Sequence, residues 1–248
     1  MGGNLTTKEF WDNGYKDFEF SKLSETNSVS LWLRNHLESC NCCKSIELGN
    51  YPGQFMTTLG DLGYELNGVD YNENNYELKK WLLSLGYDCG AFYVDDIFQI
   101  KLKDDYDLVC SFGLIEHFYN YDEVIEMHLK LIKKGGKIAL TTPNFRGWMQ
   151  FIPHWLFDRI NLHKHYLPSM NPSIWKKILE KNNFEVKYSG YFGGYVFWTD
   201  KDVKRSKLNY FSLRFFERII SQFAKIFKFL SFESSAFSAY CGIIATKK

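Results

Sequence analysis

Nowhere in the 248 residues does an uncharged apolar run reach the roughly 18 positions that cross a bilayer, so no membrane-spanning helix is expected. A dominant charge is missing as well. Thirty Lys and Arg stand against 29 Asp and Glu, a formal net charge of +1, and no overall field argues for nucleic acid or membrane as partner. Met1–Asp12 lacks an apolar core followed by a cleavage site and is not read as a signal peptide. Repeats and low-complexity linkers are absent, which leaves one domain over 1–248 as the expected organisation. Cysteines number six: Cys40, Cys42, Cys43, Cys89, Cys110 and Cys241. No second ligand pair follows the Cys40–Cys43 cluster at zinc-site spacing, so no metal is expected. Cys110 and Cys241 lie in apolar, strand-like runs where thiols act as small hydrophobes. The six are expected to be free thiols of a reducing, cytoplasmic protein.

What is present is alternation. Apolar runs recur with helical stretches between them, the pattern of βαβ units in an α/β fold. Strands are expected at Lys44–Leu48, Glu65–Asp70, Ala91–Val94, Asp107–Phe112, Lys137–Thr142, Phe184–Ser189 and Ala239–Thr246. Helices are expected over 26–39, Phe55–Leu62, Tyr76–Leu85, Asp122–Ile132, Pro172–Lys181 and Leu208–Leu230. Residues 144–172 read as loop-rich and aromatic.

The chemistry starts at the end of the first strand. Glu47–Leu48–Gly49–Asn50–Tyr51–Pro52–Gly53–Gln54–Phe55 reads as strand, Gly-rich turn and helix start, where Gly49 and Gly53 let the backbone approach a ligand. Asp70 ends the second strand, 21 residues after Gly49, where nucleoside-binding α/β folds keep a carboxylate for the two ribose hydroxyls. Tyr51 stands where a dinucleotide fold needs the Gly that admits a pyrophosphate, so a nucleoside without phosphates fits better than NAD.

These motifs, with Tyr106–Phe112 running into Leu114–Ile115–Glu116–His117 and Lys133–Lys134–Gly135–Gly136 before the fifth strand, resemble the core of class I S-adenosylmethionine-dependent methyltransferases of the small-molecule branch. The resemblance covers roughly 100 residues and implies a Rossmann-like, mostly parallel sheet with an antiparallel last strand and helices on both faces. It divides the domain into an N-terminal cover and helix (1–40), a cofactor core (44–144), an acceptor loop with cap helices (145–235) and a last strand (239–248). It implies S-adenosylmethionine as cofactor, leaving as S-adenosylhomocysteine. Its binding residues fall on Glu47, Gly49, Gly53, Asp70, Tyr71, Phe112 and His117, with adenine contacted by Asp96 and Ile97. Asp95 is a rival for Asp96. Phe10–Trp11–Asp12 and Tyr15 match a cover over the cofactor, with Trp11 and Tyr15 as its aromatic members.

On the acceptor side, His163–Lys164–His165 resembles the histidine found in this loop of methyltransferases from bacterial surface-polysaccharide clusters. A hydroxyl acceptor must lose a proton, and His163 and His165 are the candidate bases, which would make the rate fall below about pH 6.5. The expected acceptor is a small molecule: a hydroxyl of a sugar or surface-glycan precursor, alternatively an amino sugar, a phosphoramidate or a phenol. A non-catalytic binder of S-adenosylmethionine is the alternative class. In 208–230, Phe211, Phe215, Phe216, Ile219, Ile220, Phe223, Ile226, Phe227 and Leu230 fall at helical spacing, with Arg214, Arg218, Lys225 and Lys228 between them. Packing on the domain or on a twin subunit is expected first, and peripheral membrane contact second.

Overall fold

Lys44–Leu48 (β1), Glu65–Asp70 (β2), Cys89–Val94 (β3), Tyr106–Phe112 (β4) and Ile132–Pro143 (β5) pair in parallel. Almost every residue of β1, β2 and β4 is buried, as expected of central parallel strands covered on both faces. The computed structural model describes residues 5–16, 18–103, 105–194, 206–229 and 233–248. Phe184–Phe192 (β6) and Tyr240–Lys247 (β7) complete a seven-stranded sheet of order β3-β2-β1-β4-β5-β7-β6, with β7 antiparallel to both neighbours. The expected Rossmann-like sheet with an antiparallel last strand is what forms.

Side chains alternate across this sheet and make two cores. Ile46, Leu48, Val69 and Val109 face one side, covered by Tyr121–Leu131 (α5) and Pro172–Lys181 (α8). Leu66, Leu108 and Cys110 face the other, covered by Ser28–His36 (α2), Met56–Asp61 (α3) and Asn75–Ser84 (α4). Helix starts are marked where the sequence has capping residues. Asn27 accepts from the Val29 and Ser30 amides, and Asn171 accepts from Ser173 while Pro172 fixes the first turn. Because the chain leaves β1 for β2 on one side and pairs with β4 on the other, a crevice opens beyond the carboxyl ends of β1 and β4.

Two expectations are corrected. Residues 144–172 are helical: Trp148–Phe157 (α6), Arg159–His163 (α7) and a 3-10 turn at Leu167–Ser169. The period is hidden because α6 buries Met149, Gln150, Pro153 and His154, two of them polar and one a proline, while its large apolar residues face out. Cys40 and Cys43 form a disulfide, because the turn at Asn41 and Cys42 brings their Cα atoms to 5.5 Å, inside the bridging range. Cys42, Cys89, Cys110 and Cys241 are free. The long amphipathic helix, Lys207–Phe229 (α9), packs through one face only, and Leu230 lies outside the described residues.

The second half of the sheet is anchored by Trp175 of α8, fully buried with its indole N–H donating to the Ser169 carbonyl at 2.6 Å. Trp175→Ala should lower stability by about 3–5 kcal/mol, read as a reduced urea midpoint at unchanged slope. A loss under about 1 kcal/mol would mean that α8 does not hold β6 and β7 in place.

Candidate active site

The crevice at the end of β1 holds a cavity of about 450 Å³, within the range of small-molecule sites. Its floor is the turn between β1 and α3. Gly49 and Gly53 adopt φ of +68° and +79°, which side chains rarely tolerate. A Cβ on Gly49 would also meet the Leu114 side chain and one on Gly53 that of Leu78, so a substitution would shift a leucine as well as strain the backbone. The Tyr51 and Asn72 amides donate to the two oxygens of Asp70 at 3.0 and 2.9 Å, joining this turn to the one after β2. Burial pushes the Asp70 carboxyl up to about 6, against which these donors work.

Glu47 is buried at the cavity wall, and its Oε2 has no hydrogen-bond partner. Burial, with the nearby Asp70, raises its pKa well above the ordinary carboxylate range. A buried carboxylate without a partner suits a ligand that brings a cationic N–H donor. S-adenosylmethionine does so through its amino-acid ammonium, and its ribose diol suits Asp70, so the residues present fit this cofactor.

The N-terminal residues roof the cavity. Lys8–Gly14 (α1) has no fully buried residue, yet Trp11 stacks on Tyr15 at 5.8 Å and meets His117 edge-on at 5.0 Å. Leu5 donates to the His117 carbonyl at 2.9 Å, and the Trp11 indole donates to Thr6 at 3.0 Å. Tyr15, Phe20 and Tyr51 form an aromatic wall, centroids 5.5–6.0 Å apart.

Beyond β4, the 3-10 turn Ile115–His117 carries a buried polar cluster. His117 Nδ1 bonds the Lys164 carbonyl and His165 Nδ1 the Asn161 carbonyl, each at 2.9 Å. A carbonyl only accepts, so both Nδ1 atoms carry hydrogen and both Nε2 atoms present a lone pair. Burial drives His117 down to about 4 and His165, beside His117, down to about 3. Burial pushes Glu116 up to about 8, with Oε2 unpartnered. One ligating atom from each of the three lies within 4.8 Å of the others.

The structure brings Tyr15, Glu47, Gly49, Gly53, Asp70, Tyr71, Ile97, Phe112 and His117 to the cavity lining. It does not bring Asp96 there. Asp96 accepts from the Phe98 amide at 2.8 Å and the Gln99 side chain at 3.1 Å, capping its own turn, and Asp95 caps the Asp96 amide. Burial and Asp96 together raise the pKa of the Tyr71 hydroxyl at the rim. His163 is exposed at the end of α7 and outside the lining, whereas His165 stands behind His117, stacked on Phe145 at 4.3 Å. Glu116 was marked only as part of the Leu114–Ile115–Glu116–His117 run. Asn72 had no motif to mark it, although an Asn two residues after a strand-end Asp is a turn signal.

Fold and cavity together define a class I methyltransferase architecture with a nucleoside site at its switch point. A family model described as a methyltransferase domain matches residues 22–189. The chain belongs to this family, whose class I members draw their methyl group from S-adenosylmethionine. Among curated proteins, it is 24% identical over 148 residues to a ubiquinone biosynthesis O-methyltransferase of Idiomarina loihiensis, matching 56% of this chain and 58% of that protein. The chain thus spans less than two thirds of that relative's length. Among solved structures, a SAM-dependent methyltransferase from Archaeoglobus fulgidus superposes with a TM-score of 0.56 at 19% identity, over 88% of this chain and 93% of that one. A geranyl diphosphate methyltransferase in complex with SAM gives 0.56 at 15% identity, over 89% and 84%.

An ionised Asp70 accepts from both ribose hydroxyls, so S-adenosylhomocysteine affinity should fall as pH drops below about 6. Asp70→Ala should weaken binding by about 2–4 kcal/mol and flatten that pH profile. Calorimetric titration between pH 5 and 8 measures both. An unchanged pH slope in the variant would remove Asp70 from the ligand.

Proposed function

We propose that the chain transfers a methyl group from S-adenosylmethionine to a hydroxyl of a small polar acceptor, a sugar or surface-glycan precursor being the class favoured. The observation that carries the hydroxyl reading is His117: it lines the cavity, and because its Nδ1 is held by the Lys164 carbonyl, Nε2 is its basic nitrogen, with Glu116 and His165 close by. S-adenosylmethionine, when bound, supplies an electrophilic methyl that moves to the acceptor oxygen as its carbon–sulfur bond breaks. Asp70 would hold the ribose hydroxyls of the donor and Glu47 its ammonium. The Trp11–Tyr15 roof keeps water from the reacting atoms. His117 Nε2 takes the acceptor proton. Its low pKa suffices, because an oxygen that is being alkylated becomes strongly acidic. The imidazole, whose pKa burial holds near 4, then gives that proton up to solvent as product leaves, with Glu116 Oε1 4.0 Å from the nitrogen. Cytoplasmic location and a single-domain organisation are part of the same proposal.

A second reading is a phenolic acceptor. The aromatic lining from Phe18, Phe55, Phe112 and Phe118 suits a flat ring, and the curated relative is named for ubiquinone biosynthesis. A methyl-transfer screen over nucleotide sugars, catechols, phosphoramidates and amines separates the readings, and turnover of amines alone would remove the hydroxyl proposal.

With saturating donor, His117→Gln should lower kcat by about 10²–10⁴-fold while S-adenosylhomocysteine affinity changes little. His165→Gln should act more weakly, and His163→Gln not at all. Because burial holds both imidazoles neutral, kcat on a hydroxyl acceptor should stay level down to about pH 5 instead of falling below 6.5. Full activity of His117→Gln, His165→Gln and the double variant would remove the histidines from the chemistry.

A further inference from the structure

α9 has three longitudinal faces. Leu213, Phe216 and Ile220, three and four residues apart, turn inward, and Phe216 meets Phe157 of α6 at 5.6 Å. A second apolar row, Leu208, Phe211, Phe215, Ile219 and Ile226, stays exposed among the described residues: Leu208 and Phe211 are each 76% exposed, Phe215 59%, Ile226 57% and Ile219 39%. A third row, Lys207, Arg214, Arg218 and Lys225, repeats at intervals of seven, four and seven residues and runs about a quarter turn from the exposed apolar row. All four are exposed, and the acid of the helix, Glu217, is engaged by Arg214 at 2.7 Å.

The helix packed against α9 also turns apolar side chains outward. α6 buries Met149, Gln150, Pro153 and His154 and leaves Trp148, Ile152, Trp155 and Leu156 each 40–50% exposed. Arg159, at the start of α7, lies over the Trp155 ring at 4.9 Å. Apolar side chains left open on one helix lower stability in water unless something covers them.

We propose that α6 and α9 form a docking face for an anionic lipid bilayer surface. Charge selects this occupant. Apolar side chains beside a basic row match the acyl–headgroup boundary of an anionic leaflet, where tryptophan is also at home. A second copy of the chain fits less well, since a two-fold contact through α9 sets the basic row against its own copy with no free acid on the helix to neutralise it. No helix among the described residues is long and apolar enough to cross a membrane, so the contact lies in the interface plane.

The test is sedimentation of the full chain with vesicles of phosphatidylcholine alone or with phosphatidylglycerol. Binding is expected to the anionic vesicles, to weaken with salt, and to shift tryptophan emission to the blue. Removing two charges (Arg218→Gln with Lys225→Gln) should lower partitioning on the order of 25-fold, about fivefold for each charge. Phe211→Ser with Phe215→Ser should abolish it. Each variant should keep S-adenosylhomocysteine affinity and helical circular dichroism, since neither pair touches the cavity. No binding to anionic vesicles overturns the proposal. So does a wild-type dimer that Phe211→Ser with Phe215→Ser converts to monomer without vesicle binding in either form.

Discussion

Two amides, those of Tyr51 and Asn72, converge on one carboxylate at the end of β2, and the layout of the cavity follows from that convergence. Asp70 ties the β1–α3 turn to the β2–α4 turn, so the two loops that make the floor move as one. Asn72 in turn reaches Asp12 of the N-terminal cover at 3.4 Å, with Lys8 on Asp12 at 2.8 Å. Each bond contributes on the order of 1–3 kcal/mol when a charge is involved, yet burial still lifts Asp70 to about 6. Desolvation outweighs the two donors, and a ligand that brings further donors restores the balance.

The same imbalance recurs around the cavity. Glu47, Asp70 and Glu116 all have raised pKa values, and desolvation is the first cause in each case. Glu47 and Asp70 both line the cavity, and two buried carboxyl groups side by side suit a ligand that brings a cation and hydroxyl donors better than one that brings a phosphate, in keeping with Tyr51 where a dinucleotide fold has glycine. The histidines are pushed the opposite way, so at neutral pH the cluster behind His117 is uncharged and waits to exchange a proton.

The sequence was most legible where one physical rule acted alone. β1, β2 and β4 are buried on both faces, so their apolar runs stood out, and Glu65–Asp70 and Pro172–Lys181 formed with the bounds expected of them. The strand-end carboxylate and the glycine turn were legible because strand polarity puts them beyond the carboxyl edge of the sheet. Elsewhere two rules competed. α6 has the right helical spacing but the wrong chemistry on each face, and Pro153 in its sixth position hid it further. Asp96 carries the residue type of an adenine contact, yet its backbone turn claims it first. His163 and His165 differ only in which side of α7's end they leave, a geometric fact that no residue pattern encodes.

His117 is where the separate parts of the site meet. Its carbonyl receives the N-terminal cover through Leu5, its ring packs edge-on to Trp11, and its Nδ1 is held by the Lys164 carbonyl from the acceptor-side loop. Lys164 returns across the gap to lie over the Phe10 ring at 4.1 Å. The cover and the acceptor loop therefore share one hinge of contacts, although they are about 150 residues apart in the chain. The contacts that hold the N-terminal cover in place are thus the ones that orient the imidazole, so under the proposed role of His117 the cover over the donor and the group facing the acceptor are positioned together.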